Sequence, residues 1–176
     1  MAVVGSHRPG QLAIHLLVTD VEAAARFYIE VFGAGEICRH HALSPLDPPQ
    51  REAVGVELSL AGVHLVVGRE NPRWREAPRP DWPRAPSTVG AASSILSFYV
   101  DSVDAVLARA LAAGATTRRQ DETPEDAFFG DRVIVLHDPF GHVWCLKQRR
   151  EDVASEELGS RLQALVESRR AARAAG

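Results

Sequence analysis

An internal repeat constrains this chain more than any other feature. The segment "LAIHLLVTDVEAAARFYIEVFGAGE", Leu12 to Glu36, and the segment "SILSFYVDSVDAVLARALAAGAT", Ser94 to Thr116, follow one pattern. Each has an apolar strand ending in Val, a polar pair, an Ala-rich amphipathic stretch and then Gly-Ala. A supersecondary unit written twice builds its fold by pairing the copies, so the two halves should share one architecture.

The helix signals agree between copies. Thr19 and Glu22 have the spacing of a capping box, which predicts a helix opening at Thr19. Asp101 or Ser102 can cap the second helix. Gly33 and Gly114 stand where a left-handed residue ends each helix. Val21, Ala24, Ala25, Tyr28 and Val31 fall on one helical face, as do Val103, Val106, Leu107, Ala110 and Leu111. Extended runs follow each helix. In the first copy "EAVGVELSL" and "VHLVVGRE" flank the turn Ala61-Gly62, and in the second "RVIVLHD" and "HVWCLKQ" flank Asp138 to Gly141. Further strands are expected over Glu36–His41 and Ala115–Gln120. Each half therefore reads β-α-β-β-β, an α+β design of two tandem modules.

The organisation is a first module over 1–70, a Pro-rich linker over 71–92, a second module over 93–150 and a C-terminal helix over 151–176. Prolines at 72, 78, 80, 83 and 86 argue against helix and central strand in the linker. Leu158, Leu162, Leu165 and Val166 predict an inward stripe on the last helix. A chain of 176 residues has room for one compact domain or two small modules with a common core.

Net charge is −3, which gives no electrostatic case for a nucleic-acid partner or an anionic membrane. Cys38 and Cys145 do not make a disulfide framework, so a reducing, cytoplasmic setting is expected. The N-terminal "MAVVGSHRPGQ" has no long apolar run, and neither a signal peptide nor a membrane span is expected.

The repeat with these motifs resembles the vicinal oxygen chelate superfamily, which includes glyoxalase I, bleomycin-resistance proteins, fosfomycin-resistance enzymes and extradiol dioxygenases. "VTDVEAAARFYIEVFGAGE" and "FFGDRVIVLHDPFGHVWCLKQRREDVASEEL" look most like the PhnB-like glyoxalase/bleomycin-resistance branch. The resemblance implies that each sheet curls into a half-barrel around a cavity. It also implies a homodimer and, in metal-dependent members, a ligand on the first and last strand of each module. By offset from the shared motifs those positions are Ala13, Val66, Ile95 and Cys145. Three of the four have no donor atom, and a lone thiol does not hold a divalent ion against water. No metal and no other cofactor is expected at the inherited site.

Strand alternation then gives the cavity lining. With Ala13 go His15 and Leu17; with Val66 goes His64; with Ile95 go Ser97 and Tyr99; with Cys145 go Val143 and Lys147. Phe128, Phe129 and Phe140 are expected as an aromatic rim or a dimer seam. Greasy walls with a few polar groups suit a small molecule. His15 and His64 are candidates for an acid/base pair, for ligands of a displaced metal site, or for single hydrogen bonds to ligand, water or carbonyl. Tyr99 is a third acid/base candidate, and Glu57 a further partner or a solvent-facing residue. Cys145 reads as core filling rather than a nucleophile. Asp131 and Arg132 are expected to pair with each other or with the turn. His137 and His142 flank the turn and are expected to be solvated. His40 and His41 stand before the first of the loops Ala42–Ala53 and Asp121–Ala127, which are candidate lids. At most one of the two histidines is expected to reach the cavity mouth, since neighbours in a strand take opposite faces.

The expected function is binding of a small aromatic or hydrophobic metabolite or antibiotic without the inherited metal site. The alternatives are a lyase, isomerase or cyclase that uses His15, His64 or Tyr99, or an enzyme with a displaced metal site.

Overall fold

A computed structural model describes residues 10, 12–42, 53–76, 79 and 81–174. The first candidate lid therefore lies mostly outside the described residues, as do the opening nine residues and parts of the linker. The first module runs β1 (Ala13–Val18), α1 (Val21–Phe32), β2 (Gly35–His41), β3 (Ala53–Leu60) and β4 (Val63–Arg69). The second runs β5 (Ile95–Tyr99), α3 (Val103–Ala112), β6 (Thr116–Thr117), β7 (Glu125–Asp126), β8 (Asp131–His137) and β9 (Val143–Arg149). Between them a 3-10 turn at Pro72–Arg75 and the short helix α2 (Pro86–Val89) sit in the linker, and α4 (Leu158–Ala174) is the last described element.

The two sheets repeat one topology. One has the order β1-β4-β3-β2 and the other β5-β9-β8-β6, with β7 on β8. In each, the first strand pairs in parallel with the last, and the later strands pair antiparallel. Among the described residues neither closes into a barrel, and no ladder joins the sheets. This is the α+β, two-module fold that the repeat implies.

The core lies where the helix-bearing faces meet. Leu16, Val18, Val56, Leu58, Leu65 and Val67 bury from the first sheet, and Ile134, Leu136, Trp144 and Leu146 from the second. Helix α1 supplies Phe27, Tyr28 and Phe32. Trp144 packs on Tyr28 at 5.5 Å and on Phe32 at 4.8 Å between ring centroids, so aromatic contacts join the modules. Phe140 belongs here too, at 6.1 Å from Phe27, and not to a rim. Arg109 of α3 donates to the Val31 carbonyl at the end of α1, where the helix leaves its last carbonyls unpaired.

Buried Asp138 ties this core to the hairpin turn. One oxygen accepts from the Tyr28 hydroxyl at 2.7 Å and from Trp144 Nε1 at 2.9 Å. The other accepts from the backbone N–H groups of Phe140 and His142, each at 2.9 Å. His142 is buried rather than solvated, with Nε2 3.0 Å from the Leu17 carbonyl. Burial and the Asp138 charge push the Tyr28 hydroxyl well above its ordinary pKa.

Several local expectations change. The α1 cap is Asp20, not Thr19: its carboxylate accepts from Ala23 N, and the helix starts one residue later than a capping box at Thr19 requires. Ser102 caps α3. The linker forms two short helical pieces because each begins with Pro in the first turn, where the missing N–H costs no bond. Buried Glu70 fastens it, accepting from Trp74 Nε1, Thr88 Oγ1 and Ala85 N. The stripe on α4 turns inward only in part: Leu158 and Leu165 are half-buried, Leu162 and Val166 are exposed, and α4 has no fully buried residue. No described helix is long and apolar enough to cross a membrane.

Candidate functional site

The sheet faces turned away from the helices carry the candidate site residues, polar and apolar together. Along β1, Ile14, Leu16 and Val18 face the core, so Ala13, His15 and Leu17 take the open face. They sit opposite His64, Val66 and Gly68 of β4 in register. Strand β3 adds Gly55, Glu57 and Ser59 to that face, and β2 adds Cys38 and His40. A register shift between Glu36 and Cys38 bulges β2 at Ile37 and sets Cys38 directly opposite Glu57. Arg39, of opposite parity, turns away and pairs with Glu22 and Glu36.

Glu57 is the hub of this face. Its Oε1 is 2.7 Å from His40 Nε2, and its Oε2 is 2.9 Å from His64 Nε2. Cys38 Sγ lies 3.4 Å from His40 Nε2. Glu57 and His64 are 12 % and 6 % exposed at the side chain, whereas His40 is 46 % exposed, so the cluster opens to solvent on the His40 side. The hydrogen bond from His40, aided by Cys38 and His64, holds the Glu57 carboxyl below the usual carboxylate range. Its contribution to stability is therefore present above the ordinary carboxylate pKa and is lost as pH falls through its own lower value. Burial, and then the Glu57 charge, push the Cys38 thiol up.

The other open face belongs to the second sheet. Leu96, Phe98, Trp144 and Leu146 point to the core, which leaves Ile95, Ser97, Tyr99, Val143, Cys145 and Lys147 on the outer side. Tyr99 donates to Asp131 at 2.8 Å, and Arg149 Nε lies 3.0 Å from the other Asp131 oxygen. Lys147 Nζ is 6.0 Å from the centre of the Tyr99 ring. Asp131 and Arg132 do not pair with each other, because neighbouring strand residues take opposite faces: Arg132 reaches Asp104 and Asp126 instead. Phe129 lies just before β8, edge-on to Phe128. A recess of about 380 Å³ opens over this sheet, floored by Val133, Val135 and Val143 and edged by Arg118, Arg119, His137 and the carboxylates of Glu122 and Glu125.

His15 and His64 thus share one face on adjacent strands, while Tyr99 lies on the other sheet, engaged with Asp131. The first face is more polar than the offsets on β1 and β4 suggest, because Cys38, His40 and Glu57 arrive from β2 and β3. Cys38 was the residue that sequence reasoning missed; its only sequence signal is the Cys-x-His spacing within a strand. Ala13, Val66 and Ile95 offer no donor atom, so the inherited positions do not fit a metal ion.

Comparison with known proteins agrees with this architecture. A family model described as a glyoxalase-like domain matches residues 11–147. The uncharacterized protein Mb0911c of Mycobacterium bovis is 31% identical over 147 residues, which is 84% of this chain and 88% of that protein. Among solved structures, a glyoxalase/bleomycin resistance protein/dioxygenase family enzyme from Burkholderia phytofirmans is similar with a TM-score of 0.51 and 21% identity, over 77% of this chain and 95% of that one. The fosfomycin resistance protein FosX of Listeria monocytogenes, solved with Mn(II) and a dihydroxypropylphosphonic acid, is similar with a TM-score of 0.51 and 18% identity, over 80% of this chain and 90% of that one. With the family model spanning both copies of the repeat, the chain belongs to the glyoxalase-like domain family.

Proposed function

We propose that this glyoxalase-like protein binds a small aromatic or hydrophobic molecule over the open face of the second sheet. The observation that carries the reading is the recess floored by Val133, Val135 and Val143. Its volume of about 380 Å³ falls in the range of small-molecule sites, roughly 300–1,000 Å³. Ile95 and Tyr99 on the same face are 62 % and 53 % exposed and add apolar surface to it. The edge carries both signs, with Arg118 paired to Glu122 at 3.1 Å and Arg119 and Glu125 beside them, so the apolar floor rather than the rim charge supports the reading. The same exposed face supports pairing of two copies as a homodimer.

The probe is anilinonaphthalene sulfonate, which joins an aromatic body to an anionic group. Titration followed by fluorescence is expected to saturate, and Val135→Glu, which places a carboxylate on the floor, to weaken binding at least ~10-fold. Equal affinity in the variant, with its fold verified by circular dichroism, would remove the recess as the site.

A second reading, that the protein is a lyase or isomerase of the glyoxalase-like type, is supported by the contact of Glu57 with His64. A carboxylate beside an imidazole is a proton-transfer pair, with effects of about 10²–10⁴ on rate. If this reading holds, His64→Ala lowers turnover of a substrate by about 10²-fold or more while leaving anilinonaphthalene sulfonate binding unchanged.

A further inference from the structure

We propose that the open face of the first sheet holds one zinc ion, ligated by Cys38 Sγ, His40 Nε2 and a Glu57 carboxylate oxygen, with His64 as the residue that positions Glu57. The site is distinct from the inherited positions on β1, β4, β5 and β9. It rests on the enzyme reading given above, with a metal in place of the acid/base pair, and is independent of ligand binding at the second sheet.

Geometry is the first argument. The three ligand atoms all lie within 4.8 Å of one another. Tetrahedral zinc with bonds of about 2.0–2.3 Å sets its ligands roughly 3.3–3.7 Å apart. Cys38 Sγ and His40 Nε2 are already 3.4 Å apart. His40 Nε2 and Glu57 Oε1, now 2.7 Å apart, need to part by less than ~1 Å, which side-chain rotation supplies. The backbone is already in place, since Cys38 and His40 are two apart on one strand and Cys38 faces Glu57 across the ladder.

Chemistry is the second. Thiolate, imidazole and carboxylate together are a donor set for zinc rather than for magnesium or calcium, which prefer oxygen alone. Binding expels the thiol proton to solvent, and His40 keeps its remaining ring proton on Nδ1 so that the Nε2 lone pair faces the ion. The two negative ligands then balance the two positive charges of the metal, which removes the repulsion between a thiolate and Glu57. Three protein ligands leave a fourth position open, on the solvent side where His40 is exposed.

Support from outside the ligand set is the third. Almost fully buried His64 places Nε2 2.9 Å from Glu57 Oε2, the oxygen not shared with His40, an ion-pair contact outside hydrogen-bond geometry. Ligating carboxylates are held by such partners, whose loss typically weakens metal binding about 10–100-fold.

The test uses the full chain without an affinity tag, stripped with a chelator and titrated with cobalt(II) as a spectroscopic stand-in and then with zinc. One equivalent is expected to bind, with thiolate-to-cobalt charge-transfer absorption and the intense visible bands of a tetrahedral ion. Cys38→Ser is expected to abolish the charge-transfer band, and Cys145→Ser to retain it. Cys38 lies on the edge strand β2, so its replacement leaves the core untouched. His64→Gln is expected to weaken zinc about 10–100-fold while keeping the cobalt spectrum, the signature of a positioning residue rather than a ligand. No stoichiometric uptake, or uptake that Cys38→Ser leaves unchanged, overturns the proposal. Saturable anilinonaphthalene sulfonate binding by the same stripped protein keeps the ligand-binding reading in that event. A substrate turned over by protein that takes up no metal, with loss in His64→Ala, keeps the acid/base reading.

Discussion

Asp138→Ala is expected to lower the free energy of unfolding by about 2–6 kcal/mol, measured by urea denaturation. The carboxylate is 4 % exposed and accepts four hydrogen bonds. Truncation leaves the Tyr28 hydroxyl and the Trp144 N–H inside the core without that acceptor, at about 1–3 kcal/mol each. It also frees the turn that Phe140 N and His142 N close. Because Tyr28 belongs to α1 and Trp144 to β9, the loss includes contact between the modules. Asp138→Asn keeps the volume but turns an amide N–H₂ toward one pair of donors, and an intermediate loss follows. Tyr28→Phe gives the internal check. It costs about 1–2 kcal/mol in the native background and little once Asp138 is Ala, a coupling that a double-mutant cycle reads directly. Additive losses in that cycle, or a loss under about 1 kcal/mol for Asp138→Ala, would show that water replaces the carboxylate and that the bridge does not hold the modules together.

The fold was legible because it is written twice. Strand, helix and Gly-Ala exit recur in both copies, and periodicity alone separates Leu16 and Trp144, which bury, from His15 and Cys145, which do not. Features that depend on partners far along the chain were less visible. Asp138 reads as an ordinary turn residue until the fold brings Tyr28 to it across 110 positions. His142 looks solvated beside a turn until β1 arrives to accept its hydrogen bond. The stripe on α4 has helical period, yet period states which residues share a face and not whether another element covers that face.

The site divides in the same way. Face assignments on β1, β4, β5 and β9 needed only parity, and the structure puts those residues on the open faces. The Glu57 cluster needed the register of β2 against β3, which depends on a bulge at Ile37 that the sequence does not announce. Shifting that register by one residue would turn Cys38 and His40 to the other side, so only the paired structure makes Cys-x-His and Glu57 one constellation.

Gly130→Ala is expected to cost about 3 kcal/mol or more, well beyond the ordinary penalty for a side chain in left-handed backbone. Gly130 has φ +88°, and a Cβ there would stand 2.2 Å from the Glu151 carbonyl oxygen and 2.9 Å from Val153 Cγ2. Left-handed backbone alone costs a non-glycine residue about 1–2 kcal/mol. The contact adds to it because one neighbour is main chain and cannot rotate away. Gly33 supplies the control: its φ is +75° but nothing lies within 4 Å, so Gly33→Ala carries the backbone penalty alone. The difference between the two variants in urea denaturation isolates the contact. Its consequence reaches the second open face. The Gly130 carbonyl accepts from Arg150 N at 2.9 Å and Glu151 N at 3.1 Å, which clamps the start of β8 to the exit of β9. Asp131 follows directly and holds Tyr99 and Arg149. Forcing Glu151 away pulls this network apart, so Gly130→Ala is also expected to weaken anilinonaphthalene sulfonate binding, whereas Gly33→Ala leaves it intact. Equal stability losses in the two variants would mean that the chain past β9 yields freely, and the clamp would then have no role in shaping that face.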